Sequence, residues 1–425
     1  MSARSASPRA RFAIAGVALT GRGAAFAVLG VLAVLAAYAS GRPLLLAVGI
    51  LLLALPALAI VVARMRRPKF TVSRHFAPDV VAAGHGTSVR LRLTNRARTR
   101  STGALWRERL PWGATDPRRL PPVPAGRALQ LDYELRPPRR GVFDIGPLVI
   151  EFGDPFGLVI ARVEAGGGDE LVVTPEVVAL GESTLTVPAG SGEALLVQRR
   201  AAGDDDDAMT REYRTGDAMR RVHWRATARH GELMVRQEEQ RSLPRARVLI
   251  DTLASGYRGD DDAFEWVVRM VASVTVHLRR AGFDVTVEES GEPQLHPIAR
   301  RRTWGDEEFL ASLAPLQLVD ERRDAAPPQP VEGPVVAIVG EPDAGTLEWL
   351  SRRRGTGSLA VAFMVRSASS LDVLNRSFGV PTVASGQGDR LLDEGWLVVP
   401  VRADDDHAAA WDAVVIETGR SRALR

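Results

Sequence analysis

The chain has no cysteine and a single lysine, Lys69, among its 55 basic residues. The absence of cysteine excludes disulfides, thiolate zinc sites and a cysteine nucleophile. The scarcity of lysine excludes most lysine chemistry, including a Walker A phosphate loop and a Schiff base. The net charge of +4 is far below that of a dedicated nucleic-acid binder, and no aromatic-rich basic patch accompanies the arginines. We therefore expect no nucleic-acid partner.

The overall composition is that of an ordinary folded protein. Hydrophobic residues make up 45% and charged residues 25% of the 425 residues, a length that allows two or three domains with buried cores. Shifts in the sequence pattern predict a domain organisation in five parts. These parts are an N-terminal tail (1–22), two transmembrane helices (23–64), a β-sandwich-like domain (70–180), a linker (181–210) and an α/β domain (211–425).

Two apolar runs near the N-terminus predict a transmembrane hairpin. The chain has 19 uncharged residues between Arg22 and Arg42 and 21 more between Arg42 and Arg64. Each run is long enough to cross a lipid bilayer, because about 20 apolar residues in a helix span the hydrocarbon core. Two alternatives remain open at this point, a signal peptide cleaved after Ala39 and a buried hairpin in a soluble core.

The placement of basic residues predicts the orientation of this hairpin. Only Arg42 lies in the short loop, whereas eight basic residues flank the two apolar runs on their outer sides: Arg4, Arg9, Arg11, Arg22, Arg64, Arg66, Arg67 and Lys69. The positive-inside rule then places both termini in the cytoplasm. We expect a protein of the plasma (inner) membrane with two spans and cytoplasmic N- and C-termini.

The middle of the chain has the pattern of a small β-sandwich. Short alternating runs between Phe70 and Val178 are separated by glycine, proline and asparagine, which is typical of strands joined by turns. The segment 154–157 predicts a turn that buries Phe156. An acidic run at 204–207 could bind a cation, but such a run in a Gly/Ala-rich link more often forms a solvated loop.

An arginine-rich segment, residues 210–241, predicts a capped helix. Asp217 follows Gly216 and can accept hydrogen bonds from the first free N–H groups of a helix over 218–229. Gly231 then supplies the signal that ends this helix. The residues that follow have the pattern of a strand.

The helix carries side chains that could bind a partner. Arg221 and Arg225 lie one turn apart and could bind phosphate or an acidic protein together with His223 and His230. In the alternative, the arginines form internal ion pairs and Trp224 anchors the core. A third metal ligand is not close to the histidines in sequence, and a hydrolase that used either histidine as a base would lack a nucleophile in a strained turn.

The rest of the chain alternates between strand and helix patterns, which predicts a parallel, doubly wound sheet. Ligands of such sheets bind at the carboxyl ends of the strands. The first of these ends is followed by Asp251 and Ser255. The predicted fold class is therefore α/β, preceded by a transmembrane hairpin and a small β-sandwich.

The sequence resembles the domain of unknown function 58 family. The resemblance rests on the paired apolar runs, on the segments RRGVFDIGP and DPFGL, and on a central signature of Tyr213, Gly216, Asp217, Arg220, Arg221, Trp224, Ala228 and Arg229. It implies a von Willebrand factor A-like domain and a MoxR-type AAA+ ATPase as a partner, along with other membrane proteins. It implies no established enzymatic activity. The predicted docking surface consists of Tyr213, Gly216, Asp217, Arg220, Arg221, Trp224, Arg225 and Arg229.

Domains of the von Willebrand A type often hold Mg²⁺ through an Asp-x-Ser-x-Ser motif after the first strand. Here Asp251 and Ser255 match this motif, but Leu253 stands at the first serine position and offers no oxygen. Asp343, after a later strand, could add a carboxylate. The resemblance therefore implies a degenerate metal site, and we expect no cofactor, with Mg²⁺ as the alternative.

Two functional hypotheses follow from the sequence. The first is a membrane-anchored, non-enzymatic adaptor whose cytoplasmic von Willebrand A-like domain docks a MoxR-type ATPase. The alternative is a metal-dependent ligand-binding module that uses the degenerate site at Asp251, Ser255 and Asp343.

Overall fold

A computed structural model describes most of the chain. The described residues are 13–14, 16–181, 210–213, 219, 222, 224–236, 244–295, 305–322, 333–354, 359–366 and 386–414. The chain divides into two compact units, Met1–Thr174 and Pro175–Arg425. Several predictions fall outside the described residues: the basic tail residues Arg4, Arg9 and Arg11, the acidic run at 204–207, the signature residues Gly216, Asp217, Arg220 and Arg221, and the candidate binding residue His223.

The first unit contains two apolar helices joined by a tight turn. Helix α1 (Gly21–Ser40) begins at Thr20, whose hydroxyl accepts a hydrogen bond from the Gly23 N–H, and ends at Gly41 in the left-handed conformation. Helix α2 (Pro43–Met65) starts with a proline. This costs no hydrogen bond, because the N–H that proline lacks has no acceptor within the helix at its first position. Both helices are long and apolar enough to cross a membrane.

Strands make up the rest of the first unit. In chain order they are β1 (Ala13–Ile14), β2 (Val17–Leu19), β3 (Phe70–Ala77), β4 (Val80–Ala82), β5 (Thr87–Asn95), β6 (Ala104–Leu110), β7 (Gly113–Ala114), β8 (Arg118–Leu120), β9 (Ala128–Leu135), β10 (Gly141–Ile145), β11 (Leu148–Gly153), β12 (Val159–Ala165) and β13 (Asp169–Thr174). The largest sheet has the order β1-β2-β12-β11-β6-β7, with β8 also paired to β6, and a second sheet has the order β3-β5-β9. A third, small sheet has the order β10-β13-β4.

These sheets enclose a core, which confirms the β-sandwich-like prediction. Alternate residues of β5 are buried, and Val89, Leu91 and Leu93 pack with Trp106 of β6 and Ile150 of β11. Alternation of this kind arises because successive side chains of a strand point to opposite faces.

A buried ion pair crosses the core of this unit. Arg74 of β3 donates to Glu108 of β6 at 2.7 Å and to Asp169 of β13 at 2.8 Å, and the Arg74 and Glu108 side chains are 1% and 0% exposed. The Tyr133 hydroxyl of β9 donates to the second Glu108 oxygen at 2.9 Å. Strands of all three sheets are thereby joined by one polar network.

The segment before the first helix belongs to the sheet. Strand β2 pairs antiparallel with β12, with Val17 opposite Ala161, so part of the predicted N-terminal tail forms a strand. The predicted turn at 154–157 is present, since the Gly157 N–H donates to the Asp154 carbonyl. Phe156 within it is 69% exposed, and the prediction of a buried phenylalanine is therefore wrong.

The second unit contains the predicted alternation of strands and helices. Its elements are β14 (Thr210–Glu212), α3 (Trp224–His230), β15 (Met234–Arg236), β16 (Arg245–Ile250), α4 (Asp261–Arg280), β17 (Asp284–Glu289), α5 (Asp306–Leu313), β18 (Val335–Val339), α6 (Ala344–Arg353), β19 (Ala360–Arg366), α7 (Gly386–Asp393) and β20 (Leu397–Arg402), and residues 407–414 are also helical. Helix α7 was not predicted from the sequence.

Five of these strands form a parallel sheet in the order β17-β16-β18-β19-β20. Val248 and Ile250 of β16 face one apolar cluster, which includes α4 and α5, whereas Leu249 faces another, which includes α6 and α7. Helices therefore cover both faces of the sheet. The chain passes from β17 back across β16 to β18, so the strand order reverses between β16 and β18.

Candidate functional site

The described residues of the arginine-rich segment 210–241, called the signature segment below, form a small hairpin with a helix inside it. Strands β14 and β15 pair antiparallel, with Glu212 opposite Met234, and the Tyr213 N–H donates to the Leu233 carbonyl at 2.8 Å. Helix α3 begins at Trp224 rather than at the predicted residue 218, and Gly231 follows its end with a φ of 78°. The end of the helix is therefore where the glycine predicted it.

Helix α3 presents its tryptophan to solvent. Trp224 is 67% exposed, and the exposed apolar side chains of Met219 and Leu233 belong to the same segment. The alternative in which Trp224 anchors the core is therefore wrong. Arg229 is also exposed. The side chains of Arg225 and His230 lie outside the described part of the structure.

A second candidate site lies where the strand order of the parallel sheet reverses. The loops after β16 and β18 meet there, since the Glu341 N–H donates to the Gly256 carbonyl at 2.7 Å. They approach so closely that a Cβ on Gly340 would lie 2.3 Å from the Gly256 oxygen. Crevices at such a reversal are the usual ligand sites of parallel sheets. Asp251, Ser255 and Asp343 all lie at this crevice, as the sequence predicts.

Asp251 is completely buried in this crevice. One carboxylate oxygen, Oδ1, accepts hydrogen bonds from the Ser290 hydroxyl at 2.5 Å and from the Leu253 N–H at 3.2 Å. The other, Oδ2, has no hydrogen-bond partner among the described residues and faces Gly256, where a Cβ would be 2.7 Å away. Burial raises the pKa of Asp251 to about 6, and the bonds from Ser290 and Leu253 limit the rise.

Asp343 is committed to two other interactions. It caps helix α6, where its Oδ1 accepts from the Thr346 N–H at 2.7 Å, and the same oxygen forms an ion pair with Arg322 at 2.5 Å. Burial opposes its ionisation, but the bonds from Thr346 and the charge of Arg322 outweigh it and lower the pKa of Asp343. The Ser255 hydroxyl reaches the other oxygen, Oδ2, at 3.5 Å, near the limit for a hydrogen bond.

These contacts do not fit a magnesium ion. Mg²⁺ needs near-octahedral oxygen ligands at about 2.1 Å and keeps several waters. Leu253 contributes no side-chain oxygen, Asp343 binds a guanidinium, and the free oxygen of Asp251 faces Gly256. No group of three or more acidic or histidine side chains that could hold a metal occurs among the described residues. Arg322 supplies the positive charge beside Asp343 instead.

Arg322 and Ser290 also contribute to the crevice and were not predicted from the sequence. Ser290 follows β17, so the rule that polar residues at strand ends build such sites could have identified it. Arg322 lies in a loop, and no sequence pattern places it here. It reaches the crevice because residues 318–322 run beside the β16 loop, where Leu253 and Val319 form an isolated bridge.

The apolar helices of the first unit are the remaining functional feature. In the most apolar stretch of each helix only 17% of the residues are buried. Leu32 and Leu35 of α1 and Leu51 and Leu58 of α2 are all more than half exposed. A helix in the core of a soluble protein buries such side chains, because exposed apolar patches of this size are rare in soluble monomers.

Comparison with known proteins gives one family match. The family described as "Protein of unknown function DUF58" matches residues 209–313, which include the signature segment. No curated protein matches the chain. The chain is therefore similar to the DUF58 family over this part of its length.

Solved structures resemble parts of the chain only remotely. The CARDB domain of a Pyrococcus furiosus protein, in complex with two metal ions, is 14% identical over 26% of this chain and 97% of its own, with a TM-score of 0.20. The ApaA protein of Bordetella pertussis is 11% identical over 25% of this chain and 94% of its own, with a TM-score of 0.19. Scores this low carry no argument about function.

Proposed function

We propose that the protein is a membrane-anchored, non-enzymatic adaptor. Its N-terminal hairpin crosses the plasma membrane twice with both termini in the cytoplasm, and its second unit docks a protein partner. The partner is a MoxR-type AAA+ ATPase, as resemblance to the DUF58 family implies. Support for the anchor comes from the two exposed apolar helices and from the basic residues on their outer sides.

The observation that carries the docking proposal is the exposure of Trp224. An isolated surface leucine needs no explanation, but a tryptophan that is 67% exposed is typical of an interaction surface, where tryptophan is enriched. Tryptophan and arginine are also the residues that most often dominate binding energy. We use the name Trp224 patch for four exposed residues of the same sequence segment: Met219, Trp224, Arg229 and Leu233.

The second unit supports assignment to a von Willebrand A-like fold. It has a parallel sheet with helices on both faces and an acidic residue, Asp251, directly after its first strand. In this proposal the crevice at Asp251 binds no metal ion. The Asp343 carboxylate is already bound to Arg322 and to the Thr346 N–H at the start of helix α6. The metal-dependent module is not favoured by any contact at the crevice.

The test is affinity capture of the full-length tagged protein from gently solubilised native membranes, with identification of co-purified proteins by mass spectrometry. Trp224→Ala and Arg229→Glu remove the apolar and charged parts of the patch. Leu392→Ala is the matched control, since Leu392 is a 51% exposed apolar side chain on helix α7 of the same unit.

We expect a MoxR-type ATPase in the wild-type eluate, a loss of at least tenfold with Trp224→Ala, and no change with Leu392→Ala. Tenfold corresponds to about 1.4 kcal/mol of binding free energy, within the usual range for a truncated interface tryptophan. An eluate that holds only the bait would contradict the adaptor proposal. Equal capture by wild type and both patch variants would place the docking surface elsewhere.

A further inference from the structure

The tip of the β11–β12 hairpin lies against the start of α1 and the last turns of α2, at the ends of the helices away from the turn that joins them. Phe152 and Val159, at the tip ends of these strands, form one buried cluster with Ala59 and Ala63 of α2. Phe26 of α1 packs against the same cluster. The sheet therefore packs directly against the helices, and the β11–β12 hairpin contacts the last turns of α2.

The turn at the hairpin tip is fixed to the start of α1. The Thr20 hydroxyl donates to the Gly157 carbonyl at 2.6 Å, and the Thr20 N–H donates to the Leu158 carbonyl at 2.9 Å. Gly23 permits this approach, since a Cβ there would lie 2.1 Å from the Leu158 oxygen. The turn itself is rigid, because Asp154 accepts hydrogen bonds from the N–H groups of Phe156 and Val159.

The height of this turn relative to a bilayer follows from helix length. Helix α1 has 20 residues, or about 30 Å at 1.5 Å per residue, which equals the thickness of the hydrocarbon core. The first turn of α1 must therefore lie at the membrane boundary if the helix spans. The hairpin tip, attached at Thr20 and Gly23, lies at the same level.

A single large apolar side chain projects from this turn. Phe156 is 69% exposed although its neighbours Phe152 and Leu158 are buried. Leaving a phenylalanine in water forgoes about 1.5–3 kcal/mol of burial free energy. The Arg22 guanidinium lies nearby, 3.9 Å from where a Cβ on Gly157 would be. The turn and the start of α1 thus carry an aromatic and a basic side chain at the level where the aromatic residues Trp and Tyr and flanking basic residues are enriched in membrane proteins.

We propose that Phe156 inserts into the interfacial layer of the bilayer and that the β11–β12 turn is a third contact of the protein with the membrane. This inference rests on the membrane anchor of the proposed function. The occupant is the lipid because the turn is hydrogen-bonded to Thr20 at the start of α1, which lies at the membrane boundary when the helix spans the bilayer. Insertion would fix the tilt of the first unit on the membrane surface.

The absence of cysteine makes the test clean, since Phe156→Cys introduces the only thiol of the chain. The full-length variant is labelled with an environment-sensitive fluorophore and reconstituted into vesicles of phosphatidylcholine and phosphatidylglycerol. Quenching by a nitroxide lipid is compared with quenching by aqueous iodide. Leu32→Cys, in the middle of α1, and Val142→Cys, an exposed apolar position on β10, are the matched controls.

We expect the probe at 156 to be quenched more by a shallow nitroxide lipid than by iodide, with emission at shorter wavelength than the probe at 142. Quenching at 156 by iodide to the extent seen at 142, with lipid quenching intact at 32, would overturn the inference and leave the anchor standing. A probe at 32 that no nitroxide lipid quenches would overturn both the anchor and this inference.

Discussion

At the scale of single residues, the crevice of the parallel sheet combines one buried acid and one internally paired acid. Asp251 and Asp343 lie at adjacent strand ends, yet their environments shift their pKa values in opposite directions. Burial dominates at Asp251, whereas Thr346 and Arg322 dominate at Asp343. The two carboxylates should therefore contribute to stability with opposite pH dependence.

The native state binds the Asp251 proton more tightly than the unfolded chain does, because its pKa is raised from 3.8 to about 6. Its contribution to the free energy of unfolding should therefore fall as pH rises through this range, by at most about 3 kcal/mol, and stay constant above it. Asp251→Asn should remove this slope. Denaturant unfolding of the detergent-solubilised full chain at several pH values measures it.

Asp343→Asn is the control for this measurement. The lowered pKa of Asp343 means that its stabilising contribution is present above the usual aspartate pKa and is lost as pH falls. In Asp343→Asn this contribution is absent, so the free energy of unfolding should fall less on acidification than it does in the wild type. Identical curves for wild type and Asp251→Asn would show that Asp251 does not carry a raised pKa.

The cap and the ion pair of Asp343 can be separated by substitution. Asparagine is as good a helix cap as aspartate but has no charge, so Asp343→Asn should cost no more than about 1 kcal/mol, the usual value of a half-exposed ion pair. Asp343→Ala also loses the cap and should cost about 0.5–2 kcal/mol more. Equal losses in the two variants, measured by denaturant unfolding, would mean that the charge rather than the cap matters.

At the scale of elements, the two apolar helices pack through small residues. A Cβ on Gly49 of α2 would lie 2.7 Å from Val34 Cγ2 and 2.9 Å from the Val34 backbone nitrogen. Gly30 of α1 makes the reciprocal approach, where a Cβ would lie 3.2 Å from the Gly49 oxygen. Close backbone contact of this kind is the main source of helix association in lipid, where the hydrophobic effect contributes little.

We therefore expect Gly49→Ala to separate the helices and lower the thermal unfolding temperature of the protein in detergent. The matched control is Gly21→Ala, because a Cβ on Gly21 meets nothing within 4 Å. Alanine is the better helix former, so the control should be neutral or slightly stabilising. The same small effect at both positions would mean that the helices do not depend on this contact.

The sheets of the first unit are joined by the buried network around Glu108. Glu108→Ala leaves Arg74 buried without its main partner, and such changes cost about 3–5 kcal/mol. Tyr133→Phe removes one hydrogen bond to the same carboxylate and should cost about 1 kcal/mol. Urea unfolding of the full chain measures the free energy of unfolding of both variants. If Glu108→Ala lowers it no more than Tyr133→Phe does, the ion pair does not have the proposed role.

At the scale of the whole molecule, the orientation in the membrane decides where both units can act. Eight flanking basic residues predict that both units face the cytoplasm. Protease added to sealed inverted vesicles should then degrade both units, whereas protease added to spheroplasts should leave them intact. Degradation in spheroplasts would reverse the proposed orientation and exclude a cytoplasmic ATPase as the partner.

Local patterns were sufficient for much of the fold. The helical period of α4, the continuous apolar runs of β16 and β18 and the glycine that ends α3 at Gly231 follow from residues close in sequence. The start of α3 and the existence of α7 were not predicted. Helix α7 is short, and such segments depend on packing against a sheet more than on their own propensity.

The sequence by itself determined the two apolar helices, the sandwich-like strands, the alternating α/β half and the acids at its strand ends, because each depends on periodicity or on neighbouring residues. Only the tertiary structure decided three other features: that Arg322 pairs with Asp343, that Trp224 is exposed, and that Phe156 projects beside the start of α1. Each of these depends on contacts between segments far apart in the chain, and the free energy of such contacts is set by packing geometry that no local pattern encodes.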